Sequence, residues 1–180
     1  MTKNATFLLI GLLAASPALA KAEGWGSIGG GVNLDGGRFM GQVQAGLDAP
    51  LGETMFAGFG VGIGRSGAKD CVSNFFVAGD RVCVKGDRMF SAEARLGTVT
   101  KGGSKIYVLG GYSNLGLKAD ASVNRVTVSS GVTGFGGFSI GAGWQVPVGN
   151  KVFFRTEYRY GSYSDGVSTH TLMPSIGISF

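Results

Sequence analysis

The chain has 180 residues, of which 34 are glycine, and 15% of its residues are charged against 44% that are hydrophobic. This length is enough for one domain with a sizeable core, and four prolines without a collagen-like period exclude a collagen or a simple linker. The net charge is +5, but Lys and Arg are spread along the chain, so we expect no nucleic-acid partner.

Residues 1–20 have the organisation of a cleavable signal peptide. Lys3 gives a positive start, and the apolar run Phe7–Ala15 is shorter than the roughly 20 residues that a spanning helix needs. Ala18-Leu19-Ala20 is the small-x-small pattern that signal peptidase cleaves. We expect export through the inner membrane, cleavage after Ala20 and one domain over residues 21–180; the alternative is a buried N-terminal helix.

After residue 20 no stretch is long and apolar enough for a transmembrane helix. Eight segments instead alternate apolar and polar residues with period two, and segments of about ten residues with this pattern are typical of transmembrane barrel strands. The predicted fold is therefore all-β, an eight-stranded antiparallel up-and-down transmembrane β-barrel. Its predicted strands are Trp25–Val32, Phe39–Leu47, Thr54–Gly64, Arg88–Val99, Lys105–Leu117, Gly134–Val146, Val152–Ser162 and Thr169–Phe180.

The alternation also predicts which side chains face inward. In the third strand the inward positions are almost all glycine, which in a narrow barrel leaves room for large neighbours. The fifth strand is apolar on both faces, so its phase stays open. The inward glycines of the third strand are Gly58, Gly60, Gly62 and Gly64, against Met55, Ala57, Phe59, Val61 and Ile63 outward.

The connections between strands alternate in length. Short turns near Asp48, Lys101 and Pro147 fall at one end of the barrel, and longer segments, above all 65–87 and 118–133, fall at the other. Short periplasmic turns and longer external loops are the usual asymmetry of outer-membrane barrels. We therefore predict that residues 65–87 and 118–133 are external loops.

The strand pattern alone does not separate this barrel from a soluble periplasmic or secreted β-sandwich, in which the apolar face is buried. In a barrel an Arg facing lipid at the midplane would cost about 2–4 kcal/mol, so we expect the mid-strand charges Glu93, Arg95, Arg155, Glu157 and Arg159 inside. Two observations favour the membrane. The sequence ends on Phe180 with apolar residues at alternate positions before it. Aromatic residues near strand ends would also form an outward girdle, namely Trp25, Tyr107, Trp144, Phe154, Tyr158, Tyr160 and Phe180.

Charges brought together in a narrow lumen must be paired or solvated. The first interpretation is a salt-bridge network that fills and rigidifies the barrel. The second is a narrow, weakly anion-favouring pore, because three Arg outnumber two Glu in this set. An eight-stranded interior is just wide enough for side chains to fill it, so we expect no flux of large solutes.

The two cysteines, Cys71 and Cys83, flank eleven residues of the long second external segment. Export places them in an oxidising compartment, where a disulfide is the default and closing such a loop contributes about 3 kcal/mol in the chain-entropy model. We expect no metal site, since no further Cys or nearby His completes one, and no cofactor.

His170 is the sole histidine, and Ser164, Asp165 and Ser168 are close to it in sequence. These residue types suit a Ser–His–acid hydrolase such as an outer-membrane lipid A deacylase, but no deacylase motif surrounds them. A solvated or interfacial histidine is the favoured interpretation, and we assign no catalytic residue.

Four segments of the sequence carry a family resemblance. Leu172-x-Pro174-x-Ile176-x-Ile178-x-Phe180 resembles the C-terminal signature of bacterial outer-membrane proteins. The segments Phe154–Tyr160, Ala94–Gly97 and Ile106–Tyr112 resemble strands of the porin-like or opacity-type surface antigens of Gram-negative bacteria. The resemblance covers strands four to eight better than the first three. It implies an outer-membrane barrel whose last strand is recognised by the barrel-assembly machinery, with Leu172, Ile176, Ile178 and Phe180 as the assembly signal.

The first functional hypothesis is a non-enzymatic, monomeric surface protein, embedded in outer-membrane lipid, that gives the envelope structure and presents external loops. Segments 65–87 and 118–133 would meet an external ligand or host surface, because binding functions concentrate in water-facing loops. The alternatives are a narrow channel for ions or small solutes, a lipid-modifying enzyme using His170, and the soluble sandwich.

Overall fold

A computed structural model describes residues 21–67, 69–74, 80–123 and 126–180, and the predicted signal peptide lies outside them. Among the described residues no helix is long and apolar enough to cross a membrane. A short 3-10 helix, Ser164–Gly166, precedes the last strand. The strands are β1 (Glu23–Asn33), β2 (Arg38–Leu51), β3 (Met55–Ser66), β4 (Lys69–Ser73), β5 (Asp80–Val99), β6 (Lys105–Val123), β7 (Val126–Pro147), β8 (Val152–Tyr163) and β9 (Ser168–Ser179).

Eight of these strands close into an antiparallel ring. Sequential neighbours pair, β3 pairs with β5 across the short β4, and β1 pairs with both β2 and β9. The closure uses the backbone of the last residue, since Gly24 N–H donates to Phe180 O at 2.9 Å and Phe180 N–H donates to Gly24 O at 2.8 Å. A closed ring leaves no unpaired edge, and the predicted fold class is confirmed.

The two ends of the ring differ. At the turn end, residues 52–54, 100–104 and 148–151 join strands by short turns. At the hairpin end β5, β6 and β7 run for 20, 19 and 22 residues, whereas β1 and β8 have 11 and 12. Because β3 pairs with β5 only as far as Arg65 and Arg88, the longer strands project beyond the ring as a sheet.

Segments 65–87 and 118–133 are therefore not the loops that the sequence predicts. Most of their described residues belong to β4, β5, β6 and β7. In these strands Lys69 of β4 is the register partner of Lys85 of β5, and Asp120 of β6 is the partner of Ser130 of β7. The physical reason is that β-branched residues such as Val82 and Val84 favour strands. Neighbouring strands also satisfy each other's backbone groups outside the ring.

The outward face is apolar and the interior is polar, the reverse of a soluble β-sandwich. Large outward side chains keep about half of their surface exposed in the isolated chain, an apolar surface that lipid would cover. Inward positions hold glycine, serine, glutamine and ion pairs. The outward set includes Ile28, Val43, Leu47, Phe59, Val61, Ile63, Phe90, Leu96, Ile106, Val108, Phe138, Ile140, Ile176 and Ile178.

Two aromatic residues predicted for the outward girdle lie inside instead. Trp25 is 1% exposed and Tyr107 is 2% exposed, and Tyr107 also fixes the phase of the fifth predicted strand, with Ile106 and Val108 outward. The interior accepts these rings because glycines face them: a β-carbon at Gly143 would lie 2.6 Å from Tyr107 Oη. Outward and exposed as predicted are Trp144, Phe154, Tyr158 and Phe180, and Tyr160 is half-buried.

Candidate functional site

The lumen near the turn end is filled by an ion-pair cluster. Arg95 donates from Nε and Nη2 to the Asp48 carboxylate at 2.8 and 2.7 Å. Lys105 Nζ lies 2.8 Å from the same carboxylate and 2.6 Å from Glu23 Oε2. The Asp48 and Arg95 side chains are 3% and 0% exposed, so water does not screen their attraction.

A second cluster crosses the middle of the lumen. Arg159 reaches Glu93 through Nη1 at 2.6 Å and Glu157 through Nη2 at 2.6 Å. Glu157 also accepts a hydrogen bond from Tyr107 Oη at 2.6 Å, and Arg155 Nη1 lies 3.7 Å from it. Arg155 and Glu157 are essentially unexposed.

Trp25 joins the two clusters. The Arg95 guanidinium carbon lies 4.1 Å from the centroid of the indole, and the Arg155 guanidinium carbon lies 4.3 Å from it. These distances are those of cation–π contacts. Arg155 additionally donates to the Ser27 hydroxyl. We call this assembly of the two clusters and Trp25 the interior plug.

The five charges predicted from the sequence are thus brought into the lumen, with three partners that the prediction missed. All three lie at or near strand ends: Asp48 falls in a predicted turn, Lys105 begins the predicted fifth strand without being counted as an interior charge, and Glu23 precedes the first predicted strand. Continuing the inward alternation Gln42, Gln44, Gly46 by one step would have found Asp48. The plug then holds four carboxylates, Glu23, Asp48, Glu93 and Glu157, and four cations, Arg95, Lys105, Arg155 and Arg159. This equality removes the excess of positive charge on which an anion-favouring pore was predicted.

Above the plug, the lumen opens toward the hairpin end as a cavity of about 280 Å³. Arg159 and Met173 line it on the plug side, and Gln42 donates from Nε2 to Ser91 Oγ at 2.8 Å in its wall. We call this cavity the vestibule. Hydroxyl groups dominate its polar lining, from Ser66, Ser91, Ser113, Ser139, Thr169 and Thr171.

The sheet beyond the ring carries the disulfide. Cys71 and Cys83 are bonded and are direct register partners of β4 and β5, with 4.0 Å between their α-carbons. Farther across the sheet, Lys85 Nζ lies 2.8 Å and Lys118 Nζ 3.6 Å from Asp120. The hydrogen bond from Lys85, helped by the charge of Lys118, holds the pKa of Asp120 below its ordinary value.

His170 contacts aromatic residues. Its Nδ1 lies 2.6 Å from Tyr158 Oη, and its ring centroid is 5.0 Å from that of Tyr160. Among the described residues no serine hydroxyl hydrogen-bonds to the imidazole. The same residues contain no group of three or more His, Cys, Asp or Glu side chains arranged to hold a metal ion.

The four residues predicted as an assembly signal lie on one face of the last strand and its end. Leu172, Ile176, Ile178 and Phe180 are 42%, 53%, 55% and 73% exposed. Their neighbours Thr171, Met173 and Ser175 are buried in the lumen.

Comparison with known proteins agrees with this architecture. Ail of Yersinia pestis, solved in complex with the heparin analogue sucrose octasulfate, resembles 88% of this chain over 99% of its own, with a TM-score of 0.61 and 17% identity. The N-terminal β-barrel domain of Pseudomonas aeruginosa OprF resembles 88% of this chain over 97% of its own, with a TM-score of 0.58 and 15% identity. Neisserial surface protein A resembles 88% of this chain over 96% of its own, with a TM-score of 0.56 and 16% identity. At these identities the likeness is one of fold. No curated protein matches the sequence significantly.

The sequence itself matches a family of membrane barrels over residues 5–180, nearly its whole length. The description of that family, an outer membrane protein beta-barrel domain, agrees with the closed ring described above and implies a location in the outer membrane. This chain therefore belongs to the outer membrane protein beta-barrel domain family.

Proposed function

We propose that this protein is a non-enzymatic anchor in the outer membrane that presents the projecting sheet of β4 to β7 to the outside. One observation carries the proposal: β5, β6 and β7 extend past the closed ring, and a disulfide ties β4 to β5 there. A sheet held in this way offers a fixed surface to an external ligand or host surface.

The interior plug argues for an anchor rather than for a channel. Paired charges and a buried tryptophan fill the lumen near the turn end, and the vestibule opens toward the hairpin end. Breaking buried ion pairs one partner at a time is expensive, of the order of 3–5 kcal/mol. We infer that the plug stays closed at rest.

We further infer how the protein is exported and inserted into the outer membrane. Residues 1–20 act as the signal peptide, and the outward face formed by Leu172, Ile176, Ile178 and Phe180 is recognised by the assembly machinery. The protein works as a monomer, because the ring closes on itself without a second copy. Short turns belong to the periplasmic side and long hairpins to the external side.

Epitope accessibility tests the proposal. One variant carries a short epitope between Gly36 and Gly37 at the hairpin end, and its matched control carries the same epitope between Gly102 and Gly103 at the turn end; all four residues are exposed. On intact cells we expect an antibody to bind the first variant, and to bind the second after the outer membrane is permeabilised. The reverse pattern, or release of the protein without detergent, would contradict the proposal.

A further inference from the structure

The hydroxyl side chains of the vestibule lie on opposite sides of it. Ser91 of β5 and Ser113 of β6 are direct register partners. Ser139 of β7 pairs with Gly161 of β8, which pairs with Thr169 of β9. In the order of the ring, β5 and β9 are four strands apart, so these hydroxyls approach the cavity from opposite walls. We call the set the hydroxyl belt: Ser91, Ser113, Ser139, Thr169 and Thr171.

Three polar side chains in this wall are buried and incompletely satisfied. Ser139 and Thr171 are 8% and 5% exposed, and their hydroxyls have no hydrogen-bond partner within the part of the chain that the structure describes. Gln42 is 3% exposed, and its Nε2 donates to Ser91, but its Oε1 has no partner among the same residues. Because a buried polar group without a partner costs free energy, this wall favours a molecule that offers hydrogen bonds.

The charged residues of the lining do not favour an anion. Arg159 on the plug side lies 2.6 Å from each of two glutamate carboxylates. Arg38 at the hairpin end is paired with Asp70, and the remaining charged residue of the lining, Asp35, is a carboxylate. Displacing a carboxylate from a buried pair would leave the other partners uncompensated. We therefore expect an uncharged ligand.

The size and the apolar part of the lining narrow the class of ligand further. Met40, Met89, Leu115 and Met173 line the cavity and can cover the C–H faces of a ligand. The volume of about 280 Å³ lies at the lower limit of small-molecule pockets, which measure about 300–1,000 Å³, and suits one sugar ring. Each hydroxyl of the belt can both donate and accept. A rigid ring with hydroxyls around its edge matches this arrangement.

We propose that the vestibule binds an uncharged pyranose, either as a free monosaccharide or as the terminal residue of a glycan. Ser139 and Thr171 exchange hydrogen bonds with the hydroxyls of the sugar, and Gln42 Oε1 accepts one more. Because the plug closes the lumen on the other side, the sugar enters and leaves at the hairpin end. The site adds a defined ligand to the anchor proposed above and does not depend on the orientation of the barrel in the membrane.

Amide chemical shifts of the full mature chain, refolded in dodecylphosphocholine micelles that contain no sugar, test the site and locate it. The probes are the methyl glycosides of glucose, galactose, mannose and N-acetylglucosamine. Sorbitol is the acyclic control, and glucose 6-phosphate is the charged control. The variants are the double change Ser139→Ala and Thr171→Val and, as a matched control, Ser162→Ala, which removes an exposed hydroxyl beside Gly161 on the other face of β8.

We expect at least one pyranoside to shift the amides of Ser139 and Thr171 with a dissociation constant of about 1 mM. Sorbitol should bind more weakly, because ordering its flexible chain costs entropy. Each hydroxyl lost should raise the dissociation constant about fivefold, and Ser162→Ala should leave it unchanged. Without sugar the double variant should be at least as stable as wild type, because its two hydroxyls lack partners there. A purely structural role of these hydroxyls would instead lower the stability.

A disaccharide that ends in the bound pyranose separates the two sources. Binding equal to that of the monosaccharide supports the terminal residue of a glycan, and binding of the monosaccharide alone supports a free sugar. If the double variant does not refold, Ser139→Ala alone, which removes a single oxygen, gives the same decision.

Four outcomes would overturn the site: no shift with any pyranoside well above millimolar concentration, undiminished affinity in the double variant, an equal loss in Ser162→Ala, or tighter binding of glucose 6-phosphate than of methyl glucoside. The first of these would mean that the vestibule holds water only. Since the measurement uses micelles, its failure is independent of the epitope test of the anchor.

Discussion

Trp25 lies where a polar lumen would be expected to hold water or a small side chain. Its indole separates two guanidinium groups at 4.1 and 4.3 Å, and cation–π contacts of desolvated arginines reach about 2 kcal/mol. The apolar ring thus stabilises both charge clusters and excludes water from them. The ion pairs of Arg95 and Arg155 consequently depend on a neighbour that carries no charge.

Asp48 compensates two buried cations near the turn end, since it accepts hydrogen bonds from both Arg95 and Lys105. We expect Asp48→Asn to reduce the free energy of unfolding by about 3–5 kcal/mol, because it leaves buried cations without compensation. Urea unfolding of the refolded barrel measures this. Asp70→Asn is the control: its exposed pair with Arg38 should contribute less than about 1 kcal/mol, and equal losses in the two variants would refute the role of the plug.

Gly143 provides space for the Tyr107 ring. We expect Gly143→Ala to reduce the free energy of unfolding by about 1–3 kcal/mol, because its β-carbon would displace Tyr107 and break the hydrogen bond to Glu157. The cost should shrink when Tyr107 is already replaced by alanine, and a double-mutant cycle measures this coupling. Gly102→Ala, where a β-carbon would meet no atom within 4 Å, should be nearly neutral. Additive effects of Gly143→Ala and Tyr107→Ala would contradict the contact.

At the scale of single elements, the disulfide acts on the projecting sheet and not on the ring. Cys71 and Cys83 join β4, which pairs only with β5 among the described strands, to the extension of β5. We expect the double change Cys71→Ser and Cys83→Ser to destabilise this hairpin by about 3 kcal/mol. Amide exchange would then increase in β4 and stay unchanged in β8 and β9. Faster exchange throughout the ring would contradict this separation.

Asp120 makes the stability of the projecting sheet depend on pH. The pKa of Asp120 lies below the ordinary value because Lys85 and Lys118 stabilise the charged form. The contribution of Asp120 to the stability of the sheet is therefore present above the ordinary pKa of about 4 and is lost as the pH falls through the lowered pKa. Amide exchange of the paired strands β5 and β6 near Lys85 should therefore increase on acidification. Asp120→Asn should exchange faster than wild type at pH 7 and lose part of the acid dependence. An unchanged acid response in that variant would exclude Asp120 as its source.

The ring strands could be predicted because period-two alternation continues through most of them, although the phase of the fifth could not, since both of its faces are apolar. The projecting parts of β5, β6 and β7 could not, since outside the membrane neither face needs to be apolar and the alternation fades. The positions of Trp25 and Tyr107 were predicted wrongly for another reason. Aromatic residues suit both an interfacial girdle and a lumen, and only the register that places glycines opposite them separates the two.

At the scale of the whole molecule, the charge balance of the lumen follows from the closure of a narrow ring. A narrow barrel must fill its lumen, and four carboxylates against four cations fill it here without excess charge. The balance could not be predicted from mid-strand residues, because three of the eight charges lie at strand ends. With the lumen filled near the turn end, the outward face, the projecting sheet and the vestibule are the surfaces left for contact with other molecules.

Ion conductance of the purified protein in planar lipid bilayers tests this closed-lumen account most directly. We predict that the wild-type chain inserts without steady openings, and that the double change Trp25→Ala and Arg155→Ala, which removes the centre of the plug, produces ion-sized openings in a barrel that still resists unfolding by detergent at room temperature. Steady wild-type openings whose conductance changes on Arg155→Ala would contradict the account and identify a channel.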